Sequence, residues 1–519
     1  MIIATAGHVD HGKTKLIEAI TGVNSDRLPE EKNRGMSIDL GFAYHDLGNG
    51  LILNFIDVPG HERFINNLLS GFSNVDLGLL VIAADDGPMP QTEEHLSILQ
   101  LLQVKNCIIV LTKIDKVNQK RLDNVCCLIK KMMHKTIFSD SEIFQISNKT
   151  SQGIDNLVSH LKIIALNYHH KEVKGNFRLS VDRRFLVKGA GIVITGTVVS
   201  GEVSVGEELI HSKSGESLKI RAIHSQSKKS KNGIQGHRCS LNITGQKITI
   251  DKISRGDWIL SKNVFFLTNR LDAVLSILKN EKKIFKHWTA IHLYLGSGNV
   301  TGRIAILGSF SINPGEKKIV QLVLDKPVHA VFDDKFVIRD ISSSRTIGGG
   351  YILDPFAKKN NNTNFRNFRS ERLKLISPNS SKIVLNNLLL HYIEGIGLKY
   401  FLMSRNLTAS EFEKIIEPLD IVTELYKKHK WLILKTNWIC LQKIILDKLL
   451  KKDQTLSRLI KSYESPSETI LTSRRDIFFS LCKSIIGQQI SVAAANSVFS
   501  KFKKRCKNKI TAKTVSNMT

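Results

Sequence analysis

Two glycines, four spacers and a Lys-Thr pair stand near the start of the chain, as Gly7-His8-Val9-Asp10-His11-Gly12-Lys13-Thr14, directly after the apolar run Ile2-Ile3-Ala4. A loop of this composition turns successive backbone N–H groups toward a phosphate chain. Lys13 can reach the β and γ oxygens, the Thr14 hydroxyl can bind Mg²⁺, and the helix that follows adds its positive end. Three further motifs supply what a guanine nucleotide needs. Asp57-Val58-Pro59-Gly60-His61 follows the apolar stretch Leu51 to Ile56. Asp57 can hold a Mg²⁺ water there, Gly60 can report the γ-phosphate, and His61 can position the attacking water. Thr112-Lys113-Ile114-Asp115 follows Cys107 to Leu111. A fixed Asp115 carboxylate accepts from the N1 and N2 donors of guanine, which adenine lacks, with Thr112 and Lys113 beside it. Ser147-Asn148-Lys149, after Ile143 to Ile146, completes the base pocket. Four motifs in this order, each after an apolar strand, predict GTP and Mg²⁺ as ligands and GTP hydrolysis as the reaction.

The elements that must position these residues alternate strand and helix over 1–171, which predicts an α/β P-loop GTPase domain with a parallel sheet and its ligand at the strand C-terminal ends. From about Phe177 the pattern becomes short β-branched runs broken by glycine: Val181 to Val187, Gly191 to Val199, Gly206 to His211, Leu218 to His224. That spacing predicts a β-barrel over 172–263, and the runs Thr289 to Leu295, Arg303 to Leu307, Lys317 to Leu324 and Lys335 to Arg339 predict a second over 264–356. Residues 357–382 are Asn/Ser-rich and basic, reading as a linker with a short helix near Ser370 to Leu375. Helical period over Ile383 to Ile393 and Tyr400 to Arg405, a capping box at Thr408-Ala409-Ser410-Glu411 opening Phe412 to Ile416, and a hairpin of Trp431 to Leu434 with Trp438 to Cys440 give a winged-helix layout within 357–452. The chain is thus expected to be multidomain, with an α+β winged-helix region after two barrels and a helical tail over 453–519.

Asp26-Arg27-Leu28-Pro29-Glu30-Glu31-Lys32-Asn33-Arg34-Gly35-Met36-Ser37-Ile38-Asp39-Leu40-Gly41-Phe42, between the first two motifs, strongly resembles the bacterial selenocysteine-specific elongation factors, translational GTPases related to elongation factor Tu. The resemblance runs from Met1 to about Asp354 and weakens toward Lys452. Ser37 sits where the family normally has Thr, so its hydroxyl is implied to ligate Mg²⁺ without the methyl that stiffens the rotamer. Residues 177 to 262 match the family's second domain, notably at Lys188-Gly189-Ala190-Gly191 and Thr195 to Gly201, which implies a barrel that receives the aminoacyl group at Asp182, Arg183 and Arg238. Arg339-Asp340-Ile341-Ser342 and Gly348 to Gly350 resemble the end of the third domain. The implied partners are selenocysteinyl-tRNA, gripped by both barrels, and the ribosome. Charge supports the implied selectivity: a selenol is more acidic than a thiol of pKa about 8.5, so selenocysteine is an anion at neutral pH while a seryl group is not. Two guanidiniums left unpaired by a seryl group disfavour it by about 2 to 4 kcal/mol. Alternatives are a general aminoacyl-tRNA or initiation-type GTPase, a GTP-dependent RNA-binding protein, and a defective fused gene product.

A formal net charge of +28 suits a phosphate backbone, and the excess is concentrated after residue 355, where 30 Lys+Arg face 12 Asp+Glu, a net of +18. The resemblance implies further winged helices that hold the selenocysteine-specifying mRNA hairpin, yet 67 residues follow Lys452. Residues 465–519, including Asp476 to Ala495, are instead similar to the opening helices of DNA-3-methyladenine glycosylases and stop before that family's hairpin and catalytic acid, so glycosidic cleavage is not expected of them. Seven cysteines without metal spacing and no apolar run of about 18 residues predict a reduced, cytoplasmic monomer with no membrane partner, Cys126-Cys127 lying on a helix.

Overall fold

The computed structural model describes residues 1–506 apart from 27–28, 35–36, 49–50, 62–63, 73–74, 135, 169–171, 360–362, 378–379, 427–428 and 453–491. It divides into two compact units, Met1–Trp438 and Ile439–Thr519.

The first unit begins with a six-stranded sheet in the order β2-β3-β1-β4-β5-β6, where β1 is Ile2–Ala6, β2 Gly41–Asp46, β3 Ile52–Asp57, β4 Leu77–Ala83, β5 Asn106–Thr112 and β6 Ile143–Gln145. All seven residues of β4 are buried, because helices cover both faces of a central strand and alternation is lost. Helices α1 (Lys13–Thr21), α2 (Pro29–Arg34), α3 (Ile65–Gly71), α4 (Pro90–Leu101), α5 (Gln119–Met133) and α6 (Ile154–Asn167) accompany it, and Cys126 and Cys127 lie on α5 as expected. The expected wholly parallel sheet needs one correction: β2 runs antiparallel to β3, pairing Gly41 with Asp57. A strand joined to its neighbour by a short connection can pair only this way.

Both expected barrels are present. In the first, Glu208–His211, Trp258–Leu260, Arg178–Val187, Gly191–Ser200, Arg238–Thr244 and Ser217–Ser225 pair in that order and close through the first and last. The second closes through six strands from Thr268–Ile277 to Thr346–Asp354. The barrels are pinned to each other by Arg178, whose side chain is 2% exposed: Nη1 donates to Asp334 Oδ1 at 3.1 Å, Nη2 reaches Oδ2, and Nε donates to His329 Nε2 at 3.0 Å. The guanidinium also lies 4.7 Å from the Trp258 ring. The second barrel completes the GTPase core as well, since Tyr294 and Val337 belong to the same buried cluster as Leu68, Leu99 and Leu101. Gly349 permits this approach: a Cβ there would lie 2.6 Å from Phe336 O and 3.1 Å from Leu101 Cβ.

Two expectations after residue 356 are corrected. Much of the presumed linker is a 14-residue helix, α7 (Thr363–Ile376), which buries Arg369, Leu373 and Ile376 on one face. Arg369 ion-pairs with the fully buried Asp272 of the second barrel. Helices α8 (Ser381–His391), α9 (Leu398–Ser404) and α10 (Ala409–Ile416) follow, α10 opening on the Thr408/Glu411 capping box. The hairpin, however, pairs Ile421–Tyr426 with His429–Leu434, and Trp438 to Cys440 lie in the helix α11 (Lys435–Lys452). Among the described residues of the second unit, Val492–Arg505 forms a helix, α12, and Phe499 and Cys506 are buried. Most of the glycosylase-like stretch, 465–491 and 507–519, lies outside the described residues. No helix among the described residues is long and apolar enough to cross a membrane.

Candidate nucleotide site and aminoacyl pocket

Gly7 to Gly12 link the C-terminal end of β1 to the first turn of α1, as an anion cradle requires. Its shape depends on residues at positive φ: Gly7 at 131°, Asp10 at 61° and Gly12 at 87°. Two side chains of α4 hold the loop. His95, 2% exposed, accepts the Gly7 N–H through Nδ1 at 2.9 Å, and Gln91 Oε1 accepts the Val9 N–H at 3.4 Å. Neither residue belongs to a motif recognisable in the sequence. Lys13 is buried, its ammonium donating to Gly7 O at 3.1 Å and His8 O at 2.6 Å, and burial draws its pKa down to about 8 against the pull of Asp57 and Asp10.

The oxygens expected at a Mg²⁺ site converge. Thr14 Oγ1 lies 2.7 Å from Asp57 Oδ2 and 3.0 Å from Ser37 Oγ, and Asp57 is fully buried. Two hydroxyls and a carboxylate are a hard-cation donor set, so the residues present fit that ion. Unforeseen neighbours tighten the cluster: Ser25 Oγ donates to Asp57 Oδ2 at 2.6 Å, Thr5 Oγ1 to Asp57 Oδ1 at 3.0 Å, and Ser37 Oγ to Asp26 Oδ1 at 2.9 Å. Glu31 Oε1 accepts both the Ile38 and Asp39 amides at 3.0 Å, fixing the backbone beside Ser37. Gly60 packs on the phosphate loop, where a Cβ would fall 2.5 Å from Lys13 Nζ and 2.7 Å from Val9 N. Gly60→Ala is therefore expected to displace Lys13 and weaken nucleotide binding by roughly tenfold or more, the scale of one lost charged hydrogen bond; titration with a fluorescent nucleotide checks it. His61, the residue after Gly60, is half-buried and 6.1 Å ring to ring from Phe64.

On the guanine side, Ser147 Oγ donates to Asp115 Oδ1 at 2.6 Å, holding an exposed carboxylate in place and its pKa below the usual range. Thr112 is fully buried and donates to His11 O at 2.7 Å, so it ties the base-reading strand end to the phosphate loop. Asn148 Nδ2 lies 3.5 Å from Gly12 O. Lys113, at φ 57°, extends its ammonium to Asp85 and Asp86 at 3.4 and 3.8 Å.

His8 and His11 meet edge to face at 5.1 Å, and His11 is fully buried. Burial, then the neighbouring His8, lowers the His11 pKa to about 4. Burial, then the Lys13 charge, pushes His95 well below its ordinary range, so its Nδ1 stays free to accept from Gly7. Folded-state values below the unfolded value of about 6.5 mean the unfolded chain binds the extra protons. Stability is therefore full above pH 6.5 and falls as pH drops toward 4, by up to about 3 kcal/mol for His11. A thermal midpoint that decreases between pH 7 and pH 5 is the expected record; a flat midpoint would contradict neutral rings.

The three residues expected to receive an aminoacyl group lie at the junction of the GTPase domain and the first barrel. Arg238 and Asp182 form a two-pronged pair, Nε to Oδ2 at 3.0 Å and Nη2 to Oδ1 at 2.9 Å, with side chains 14% and 9% exposed. Thr195 Oγ1 donates to Asp182 at 2.6 Å. Arg183 does not pair with its neighbour Asp182. Its Nε donates to Asp39 Oδ2 at 3.0 Å, and Nη2 reaches Leu40 O, both in the GTPase domain. Phe42 lies beneath both guanidiniums, 3.7 Å from that of Arg238 and 5.5 Å from that of Arg183. The pocket floor is therefore a β2 residue that barrel sequence alone could not reveal.

Comparison with known proteins places this geometry. Residues 1–166 match the elongation factor Tu GTP binding domain, and residues 272–359 match the selenocysteine-specific elongation factor beta-barrel domain. The selenocysteine-specific elongation factor of Escherichia coli is 41% identical over 353 residues, covering 68% of this chain and 55% of that protein. That of Methanocaldococcus jannaschii is 30% identical over 321 residues, covering 60% of this chain and 68% of that protein. A crystal structure of a bacterial selenocysteine-specific elongation factor, EF-Sec, superimposes with a TM-score of 0.72 at 28% identity, over 94% of this chain and 83% of that one. The elongation factor SelB from Methanococcus maripaludis with a GTP analogue gives 0.59 at 27% identity, over 68% and 79%. The chain spans just over half the length of its Escherichia coli relative. With the GTPase and barrel models both matched and a relative covered over two thirds of its length, the chain belongs to the family of selenocysteine-specific elongation factors.

Proposed function

We propose that the chain binds GTP and selenocysteinyl-tRNA, delivers the tRNA to the ribosome at recoded UGA codons, and hydrolyses GTP there. What supports this reading is the meeting of Arg238 and Arg183 over Phe42, in a barrel attached to a GTPase domain whose Lys13, Thr14, Asp57 and Asp115 offer groups suited to phosphate, metal and guanine. In this reading Thr14, Ser37 and Asp57 would hold Mg²⁺. When bound, Mg²⁺ would neutralise charge developing on the β and γ oxygens. Lys13 leaves the loop carbonyls for the phosphates, and Asp115 accepts from the guanine N1 and N2 donors. His61 orients the attacking water once the ribosome orders the loop, so turnover without ribosomes is slow. A selenolate competes with Asp182 and Asp39 for the two guanidiniums, whereas a seryl hydroxyl cannot displace a carboxylate from them.

The test is deacylation of selenocysteinyl-tRNA and seryl-tRNA by base hydrolysis, with protein and either GTP or GDP. Protection of the selenocysteinyl ester alone, and only with GTP, is expected. Equal protection of both would indicate a general carrier. Arg238→Met should lower protection of the selenocysteinyl ester by roughly tenfold to a hundredfold, as for a lost charged contact, while leaving GTP binding intact. His61→Ala should keep GTP binding and lose ribosome-stimulated turnover; unchanged turnover would refute that role. The selenocysteine-specifying mRNA hairpin is not assigned to any described residue.

A further inference from the structure

Helix α4 touches the phosphate loop with one side of its first turns and the second barrel with the next residue along. His95 accepts the buried Gly7 amide, and Gln91 the Val9 amide. Between them, Glu94 Oε1 accepts from Arg339 Nη1 at 2.6 Å and from Thr346 Oγ1 at 2.9 Å, both residues belonging to the second barrel. Arg339 is 1% exposed. Its Nη1 also donates to Thr346 at 2.8 Å and its Nη2 to Ser343 O at 2.9 Å, while its Nε is buried with no hydrogen-bond partner. A buried guanidinium tied at this many points has one place to stand, and it holds the Glu94 carboxylate, a quarter exposed, in a fixed position. The helix itself is locked lower down by Leu101 against Gly349. Rotation of α4 by a few degrees would therefore stretch the His95 and Gln91 contacts in the loop and the Glu94 contact to the barrel together.

We propose that Glu94, Arg339 and Thr346 are positioning residues for the nucleotide: they fix the rotation of α4, and through His95 and Gln91 that rotation sets how firmly the phosphate loop holds a guanine nucleotide. The coupling is reciprocal. Any ligand that shifts the second barrel against α4 changes nucleotide affinity, and the nucleotide changes that ligand's affinity by the same factor. The route rests on the reading of Gly7 to Thr14 as a guanine nucleotide site, and on no assumption about tRNA.

The experiment measures association and dissociation of a fluorescent GDP analogue by stopped flow on the full chain. His95→Leu, which leaves the Gly7 amide unpaired, should speed release by about tenfold with little change in association. His95→Gln, which keeps an acceptor, should restore most of the slow release. Glu94→Gln and Thr346→Val, chosen as mild changes that keep the interface filled, should each speed release severalfold. Combined with His95→Leu, either should add little, because both act on one contact. Release unchanged by Glu94→Gln and Thr346→Val, in protein with an unaltered melting profile, would overturn the coupling while leaving the nucleotide site intact, as would effects that simply multiply. If the unmodified chain binds no GDP, the site reading falls first and the coupling with it.

Discussion

Asp115→Asn should reduce affinity for GTP by at least about a thousandfold and at the same time create measurable binding of xanthosine triphosphate. In the proposed site the carboxylate would accept two N–H groups from guanine; an amide would present a donor where the guanine 2-amino group also donates, leaving two donors facing each other. Xanthine carries a carbonyl at that carbon, and the asparagine amide can donate to it. Ser147, which holds Oδ1 at 2.6 Å, can serve the amide oxygen equally well, so the side chain keeps its orientation and the change is one of chemistry alone. Competition between the two nucleotides on the wild-type and variant chains measures the switch. Loss of GTP binding without gain of xanthosine triphosphate would mean that Asp115 serves the fold of the loop rather than the base.

Arg178→Met is expected to destabilise the barrel pair by about 3 to 5 kcal/mol, because it strands Asp334 in a nearly dry interface. Asp334 is 12% exposed and His329, pushed far below its ordinary pKa by burial and then by Arg178, offers it no positive charge. Replacing both partners, Arg178→Met with Asp334→Leu, should recover part of that loss, since no charge is then stranded, although His329 Nε2 loses its donor and the Val331 N–H its acceptor. Denaturant unfolding of the two variants separates the cost of a broken pair from the worth of an intact one. Equal destabilisation by single and double variants would place the importance of Arg178 in its stacking on Trp258 instead.

Both results draw on features that differ in how far the sequence reveals them. The phosphate loop and the guanine motifs are legible because each is a short segment whose residue types are dictated by backbone geometry and one ligand. Gly12 at φ 87° and Lys13 behind it need no tertiary partner to be recognised. Ser25, Asp26 and His95 are not legible, since the contacts that matter arise between residues far apart in the chain, as in the Gly7 to His95 bond. Local pattern misled in two places. The Asn-rich stretch reads as a linker with a short helix near Ser370 to Leu375, whereas Arg369, Leu373 and Ile376, spaced by four and three, form the buried face of the longer α7. Trp438-Ile439-Cys440 has strand-like composition, but Ile421–Tyr426 already pairs with His429–Leu434 and the chain beyond continues as helix. Of the candidate pocket, Asp182, Arg183 and Arg238 are named from the sequence, whereas Phe42, which lies under both guanidiniums, belongs to another domain and is not.

The inclusion of Tyr294 and Val337 in the GTPase core bears on how the chain is made. Leu101 leaves the ribosome 236 residues before Val337, a delay of roughly 10 to 50 s at ~5 to 20 residues per second. Throughout that interval the nascent N-terminal domain carries an uncovered apolar face along α3 and α4, and the Arg339 partner of Glu94 does not yet exist. Synthesis of this protein therefore includes a stage in which a folded nucleotide domain is sticky, and a chaperone that shields helix surfaces should be found on ribosomes translating its second barrel.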